Sequence, residues 1–203
     1  QALVLKKGQS ALTHMPLDPA DNDQTFITEE ITIGDYTAPI RLKVSSLYKG
    51  KSAETMKSRF ENDHLSKIEQ QYIQFYQKQY GQVLDHQTIL YGYDAEKNQF
   101  TVEESYLIDS FFNLEGKNVS FTINASLVDD QLSIPSSQNR QSPFYLGRPK
   151  YVHHQIKIHY PQHSVNSDLD TPTVVKNENF LFRFDSLMMP GTYLLSYELT
   201  IND

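Results

Sequence analysis

Chemistry in a protein of this composition has to come from histidines, carboxylates or hydroxyls, because the chain has seven His and 25 Asp+Glu but no Cys. Thiol nucleophiles, thiolate metal sites and disulfides are therefore excluded. His153 and His154 are neighbours; on a strand they point to opposite faces and cannot grip one ion together. His153 and His159 share a face, but at ~3.3 Å per residue they stand about 20 Å apart. His159 and His163 have the spacing of a helical zinc pair, yet Pro161 between them opposes a helix. Histidines on a strand surface are the expected case.

The carboxylates fare no better. Glycoside hydrolysis needs two of them across one cleft, whereas Glu29-Glu30 and Glu103-Glu104 are sequence neighbours on expected strands, so each pair splits between faces. Asp18, Asp21 and Asp23 crowd a Pro-containing loop but lack the twelve-residue calcium pattern with its Gly and terminal Glu. Gly50-Lys51-Ser52 sits where a phosphate loop belongs, after a strand and before a helix. That loop also needs a Gly at position 45, which is Ser45. A strand-to-helix turn is the expected role. No GxSxG elbow occurs. These residues lead us to expect no catalytic, cofactor-binding or metal-binding site, and no cofactor. A hydrolase remains as a competing reading. It requires two of Asp85, Asp94, Glu103, Glu104 and Asp109 to converge within about 10 Å.

The elements that must carry these residues are mostly strands. Apolar residues recur with period two at Ile40, Leu42, Val44 and Tyr48; at Val152, Ile156, Ile158 and Tyr160; at Phe180, Phe182 and Phe184; and at Tyr193, Leu195, Tyr197, Leu199 and Ile201. Segments 25–33, 87–93, 99–108 and 118–125 are further strands by β-branched and aromatic content. One-sided strands of this kind suit antiparallel sheets. Residues 94–98 and 177–179 read as hairpin turns. Residues 52–80, free of Gly and Pro, carry helical spacing instead. Ala53, Met56 and Phe60 share one face; Leu65, Ile68, Tyr72, Phe75 and Tyr76 share another. Ser52 is the expected N-cap, Asn62-Asp63 a second cap after a break, and Gly81 the stop. The 13 Tyr and 11 Phe fall chiefly at core positions, and Trp, the preferred sugar-stacking ring, is absent.

The expected fold is therefore α+β, mainly antiparallel β in sandwich-like sheets, with one helical segment at about 52–80 packed on a sheet. Pro135, Pro143, Gly147 and Pro149 mark an irregular connection over 128–149. It divides an α+β subdomain at 1–127 from a β subdomain at 150–203, or lies as a loop within one continuous domain. A net charge of −7 over 203 residues opposes a nucleic-acid footprint and an anionic membrane surface. No apolar run reaches the ~20 residues of a membrane span. The chain begins at Gln1 without a signal-peptide pattern, and we expect an excised piece of a longer protein. Asn118 and Asn124 stand in glycosylation sequons, which matter only in a eukaryotic secretory setting.

Two stretches carry a family likeness. In 38–60 (APIRLKVSSLYKGKSAETMKSRF), a strand is followed by Tyr48, Gly50, Ala53 and a helix with Arg59; the stretch continues through YIQFYQKQYG at 72–81 and NQFTVEESYLID at 98–109. In 140–161 (RQSPFYLGRPKYVHHQIKIHYP), an Arg-x-x-Pro segment leads into a strand ending in Pro. Together they resemble the β-rich region that follows the papain-like core in bacterial transglutaminase-like envelope proteins, which also have an N-terminal β domain of unknown function. The resemblance implies a non-catalytic accessory domain, periplasmic or extracellular, with a neighbouring transglutaminase-like domain in the same chain or an envelope protein as partner. The family's Cys-His-Asp triad has no counterpart here. A free-standing secreted carbohydrate- or protein-binding module is the alternative.

Overall fold

Alternating burial turns the expected strands into one broad sheet. The computed structural model describes residues 22–109, 112–115, 118–120, 123, 128, 146–161 and 171–202. In chain order the elements are β1 (Asp23–Thr32), β2 (Ile40–Gly50), α1 (Lys51–Asn62), α2 (Leu65–Tyr80), β3 (Val83–His86), β4 (Leu90–Asp94), β5 (Gln99–Ile108), β6 (Asn113–Glu115), β7 (Asn118–Ser120), β8 (Lys150–His159), β9 (Thr173–Lys176), β10 (Phe180–Met189) and β11 (Thr192–Ile201). Among the described residues nine strands form a single sheet in the order β3-β5-β2-β1-β8-β11-β10-β9, with β4 sharing the β5 edge with β3. The α+β, mainly antiparallel architecture with helices on a sheet is as the sequence led us to expect. The strands expected in sandwich-like sheets join one sheet, while β6 and β7 form a separate ribbon.

Every pairing in the large sheet is antiparallel except β1 with β8, which is parallel. A parallel neighbour needs a long crossover, and residues 33–149, which include β2, both helices and β3 to β7, separate β1 from β8 in the chain. β1, from residues 1–127, and β8, from 150–203, thereby lie side by side. Apart from Val128 and 146–149, the connection placed at 128–149 lies outside the described residues.

One face of the sheet is the core. Ile27 and Ile31 on β1, Ile40, Leu42 and Val44 on β2, Val102, Tyr106 and Ile108 on β5, and Ile156 and Ile158 on β8 are all buried. Each such large apolar side chain stabilises the fold by about 1.5–3 kcal/mol. The helices cover the β1-β2-β5 part of this face. Ala53, Met56 and Phe60 of α1 and Ile68, Tyr76 and Tyr80 of α2 turn inward, the stripe that 3.6-residue periodicity dictates. Val128 and Leu146 pack over Val152, Leu199 and Ile201 on the other half.

The helical segment departs from expectation in detail. The expected break falls at Asp63-His64, but Asn62-Asp63 does not cap the second helix, since α2 starts after His64 without a side-chain cap. Asp63 takes Lys67 as its ion-pair partner at 2.7 Å. Ser52 is not the N-cap of α1; it lies inside the first turn. Its backbone N–H donates to Asp23 Oδ1 at 3.1 Å and its hydroxyl to the same oxygen at 2.5 Å. The first strand thus satisfies an orphan donor of the helix. Gly50 makes the turn from β2 into α1 at φ 61 and ψ −127, a region essentially confined to glycine. A Cβ there would lie 1.8 Å from the Asn22 carbonyl oxygen. Gly81 ends α2 as expected, with its N–H donating to the Gln77 carbonyl. Both expected turns form. Asp94 Oδ1 accepts from the Glu96 and Lys97 amides, and Asn177 Oδ1 from those of Asn179 and Phe180. Among the described residues no helix is long and apolar enough to cross a membrane.

Candidate functional site

The polar groups that meet in this protein meet inside it. Three strands each place one ionisable residue where alternation calls for an apolar one. Glu29 stands between Ile27 and Ile31, Glu104 between Val102 and Tyr106, and His154 between Val152 and Ile156. Because side chains alternate, these three turn into the core with their apolar neighbours. They are 2%, 4% and 1% exposed. Sheet register then brings them together. Val44 of β2 pairs with Glu29 on one side and Glu104 on the other, so the two carboxylates straddle one strand, with Cα atoms about 9–10 Å apart at 4.7–4.9 Å per strand spacing.

Tyrosines supply the donors. Along α2, Ile68, Tyr72, Tyr76 and Tyr80 repeat every four residues and face the sheet. The Tyr80 hydroxyl donates to Glu29 Oε2. His154 Nε2 lies 2.9 Å from Glu29 Oε1. Glu29 thus engages Tyr80 through one carboxyl oxygen and His154 through the other. His154 Nδ1, buried, has no hydrogen-bond partner.

Glu104 is the second centre. Tyr106 donates its hydroxyl to Glu104 Oε2 at 2.5 Å. Burial pushes the Glu104 carboxyl up to about 7, against the hydrogen bond from Tyr106, and the Glu29 charge pushes the same way as burial. Burial is also the main cause that raises Tyr72, Tyr76, Tyr80 and Tyr106, with the glutamates adding to it, so these phenols stay protonated donors. Tyr48 on β2 is raised by burial and engages Ser46 and Tyr72. The rings pack as they bond: Tyr76 stacks at 6.3 Å on Tyr80 and lies 5.0 Å from Tyr106. Arg59 of α1 caps this cluster from outside, 5.1 Å over the Tyr72 ring, with its guanidinium donating to Gln71 Oε1 at 2.6 Å.

No family model, characterised protein or solved structure matches the chain.

Among the residues singled out in the sequence, Glu29-Glu30 and Glu103-Glu104 do split between faces. Glu30 pairs with Lys157 at 3.5 Å and Glu103 accepts from the Ser45 hydroxyl at 2.7 Å, both on the outer face. The inward members of the two pairs are nevertheless brought together, across strands rather than along one. Asp85 and Glu103 line a groove of ≈ 770 Å³ on the outer face with Arg41, Lys43 and His86. Asp94 serves the β4–β5 turn and binds Lys97 at 3.1 Å. Asp109 follows β5, with its amide bonded to the Gln82 carbonyl. His153 and His159 face outward as expected, beside Ser196 at 3.0 Å and Thr192 at 3.2 Å. His163, Asp18, Asp21 and Asn124 lie outside the described residues, and Asp23 is the cap of α1. Among the described residues no three His, Asp or Glu gather to hold a metal. The signal for Glu29, Glu104 and His154 was present in the sequence as a polar residue in an apolar phase.

Proposed function

We propose that this chain is a non-catalytic accessory β domain of a bacterial transglutaminase-like envelope protein, exported with it, in a structural or partner-binding role exercised through the edges of its sheet. One observation carries the reading. The buried ionisable groups Glu29, Glu104 and His154 are held in the core beneath α2, while Leu84, Leu90, Tyr91, Val174 and Val175 leave apolar surface in solvent at the two ends of the sheet. At one end, all four residues of β9 are exposed, with Val174 at 56%. At the other, Leu84, Leu90 and Tyr91 are exposed on β3 and β4, Leu90 at 69%. An edge strand with free backbone donors and acceptors accepts an added strand, and apolar side chains beside it give that pairing affinity.

The test has two steps. The reading frame containing Gln1 is expected to encode Cys, His and Asp in transglutaminase order upstream. Titration of the catalytic segment with this domain, followed by calorimetry, is then expected to show binding that Val174→Lys and Leu90→Lys weaken at least tenfold. Absence of an upstream core, together with glycan-array binding by this domain alone, would replace the reading with a free-standing carbohydrate-binding module.

A further inference from the structure

The two buried carboxylates face each other over Val44 under a single helix, and α2 is tied to one of them through Tyr80. The charges that reach this pair come from six surrounding elements. From α2, Tyr72, Tyr76 and Tyr80 present hydroxyls, and Glu69, whose Oε1 accepts from the Ile89 amide, adds negative charge near Tyr106. From α1, Arg59 is the cation acting on Glu104. From β2, Tyr48 and Ser46 approach. From β5, Tyr106 donates inward while Glu103 lies on the opposite face. From β8, His154 holds Glu29, and from β11 Tyr197 lies beside the His154 ring at 6.0 Å. Two anions in this setting would repel across one strand in a low-dielectric interior, with Arg59 committed to Gln71 at the rim.

We propose that the Glu29–Glu104 pair is a proton-controlled latch between α2 and the sheet: α2 stays docked while Glu104 holds a proton and lifts when that proton is lost. Lifting α2 hydrates both carboxylates at once and presents the apolar stripe of Ile68, Tyr72, Tyr76 and Tyr80 to solvent. The position of the Glu104 titration near neutrality places the change in a range a cell compartment can cross.

Native-state hydrogen exchange, corrected for intrinsic exchange chemistry, tests this at about pH 5.5 and about pH 8.5, where docking and lifting are each favoured. In the wild-type chain the opening constant of α2 amides is expected to rise with pH by up to about tenfold per unit below about 7, to level off above it, and to exceed that of β2 amides at both pH values. In Glu104→Gln the α2 amides are expected to show no such slope. The latch is overturned if α2 opening is the same at both pH values, if Glu104→Gln keeps the wild-type slope, or if α2 and β2 amides exchange with the same opening constant. A carbon-13 glutamate titration of the wild-type chain supplies the check that needs no variant. One side-chain carboxyl resonance must move over the same pH range as α2 opening, and a spectrum in which none does so rejects the latch.

Discussion

Removing one hydroxyl, by Tyr80→Phe, isolates what the buried network contributes. The substitution leaves the aromatic ring in place against Tyr76 and takes away the donor to Glu29 Oε2. No cavity of methyl size opens, so the transfer and void penalties of core truncation stay small. What is lost is a hydrogen bond to a charged acceptor, worth about 1.5–3 kcal/mol. What remains is a carboxylate oxygen 51 residues away in sequence, buried and without that partner. In a chain of about 200 residues, 1 kcal/mol moves Tm by roughly 2–4 °C, so Tyr80→Phe is expected to lower it by roughly 3–12 °C at neutral pH. Urea unfolding gives the free energy directly. The half-exposed Tyr91 is the control, since Tyr91→Phe is expected to stay within about 0.5 kcal/mol of wild type. A double-mutant cycle with Glu29→Gln then measures the coupling, expected at about 1 kcal/mol or more. A Tyr80→Phe protein as stable as Tyr91→Phe, with additive effects in the cycle, refutes the assignment of Tyr80 as a donor to a buried anion.

Other consequences follow from the same geometry. Glu104 is held at about 7 in the folded chain against the usual 4.5, so the folded state keeps a proton that the unfolded state loses between those values. Stability is therefore full below about pH 4.5 and falls as pH rises through about 7, by about 3 kcal/mol at about 1.4 kcal/mol per pH unit. Glu104→Gln is expected to flatten that fall in urea midpoints. Asp23→Ala strips both bonds from Ser52 and is expected to cost about 1 kcal/mol, read as a lower urea midpoint with unchanged slope. Gly50→Ala drives a Cβ into the Asn22 carbonyl and is expected to cost more than about 2 kcal/mol or to fail to fold, checked by circular dichroism and thermal melting.

The strands were legible because alternation is a local property. β5 runs over the same residues, 99–108, that aromatic and β-branched content marked, and β2 and β8 each fall within two residues of theirs. The hairpin turns at Asp94 and Asn177 were legible for the same reason, since each is closed by a side chain on backbone two or three residues away. The helix start was not, because its cap comes from Asp23, 29 residues upstream. Nor was the parallel pairing of β1 with β8, because a strand's own pattern says which face is buried and nothing about which strand lies beside it.

That distinction decides the site. Reasoning within one strand correctly separates Glu103 from Glu104 and Glu29 from Glu30, and then stops. Assembly depends instead on two registers, β1 on β2 and β2 on β5, which set Glu29 and Glu104 opposite the same Val44. A slip of one residue in either would turn a carboxylate outward and leave an apolar row without its polar member. The register is in turn pinned by the apolar residues on both sides of each glutamate, since Ile27, Ile31, Val102 and Tyr106 can all be buried in only one phase. The apolar pattern thus forces two acids inward, and the tyrosines of α2 and β5 are the donors that make such burial tolerable. The polar network is a consequence of the core's hydrophobic register, and it draws its proton sensitivity from the same enclosure.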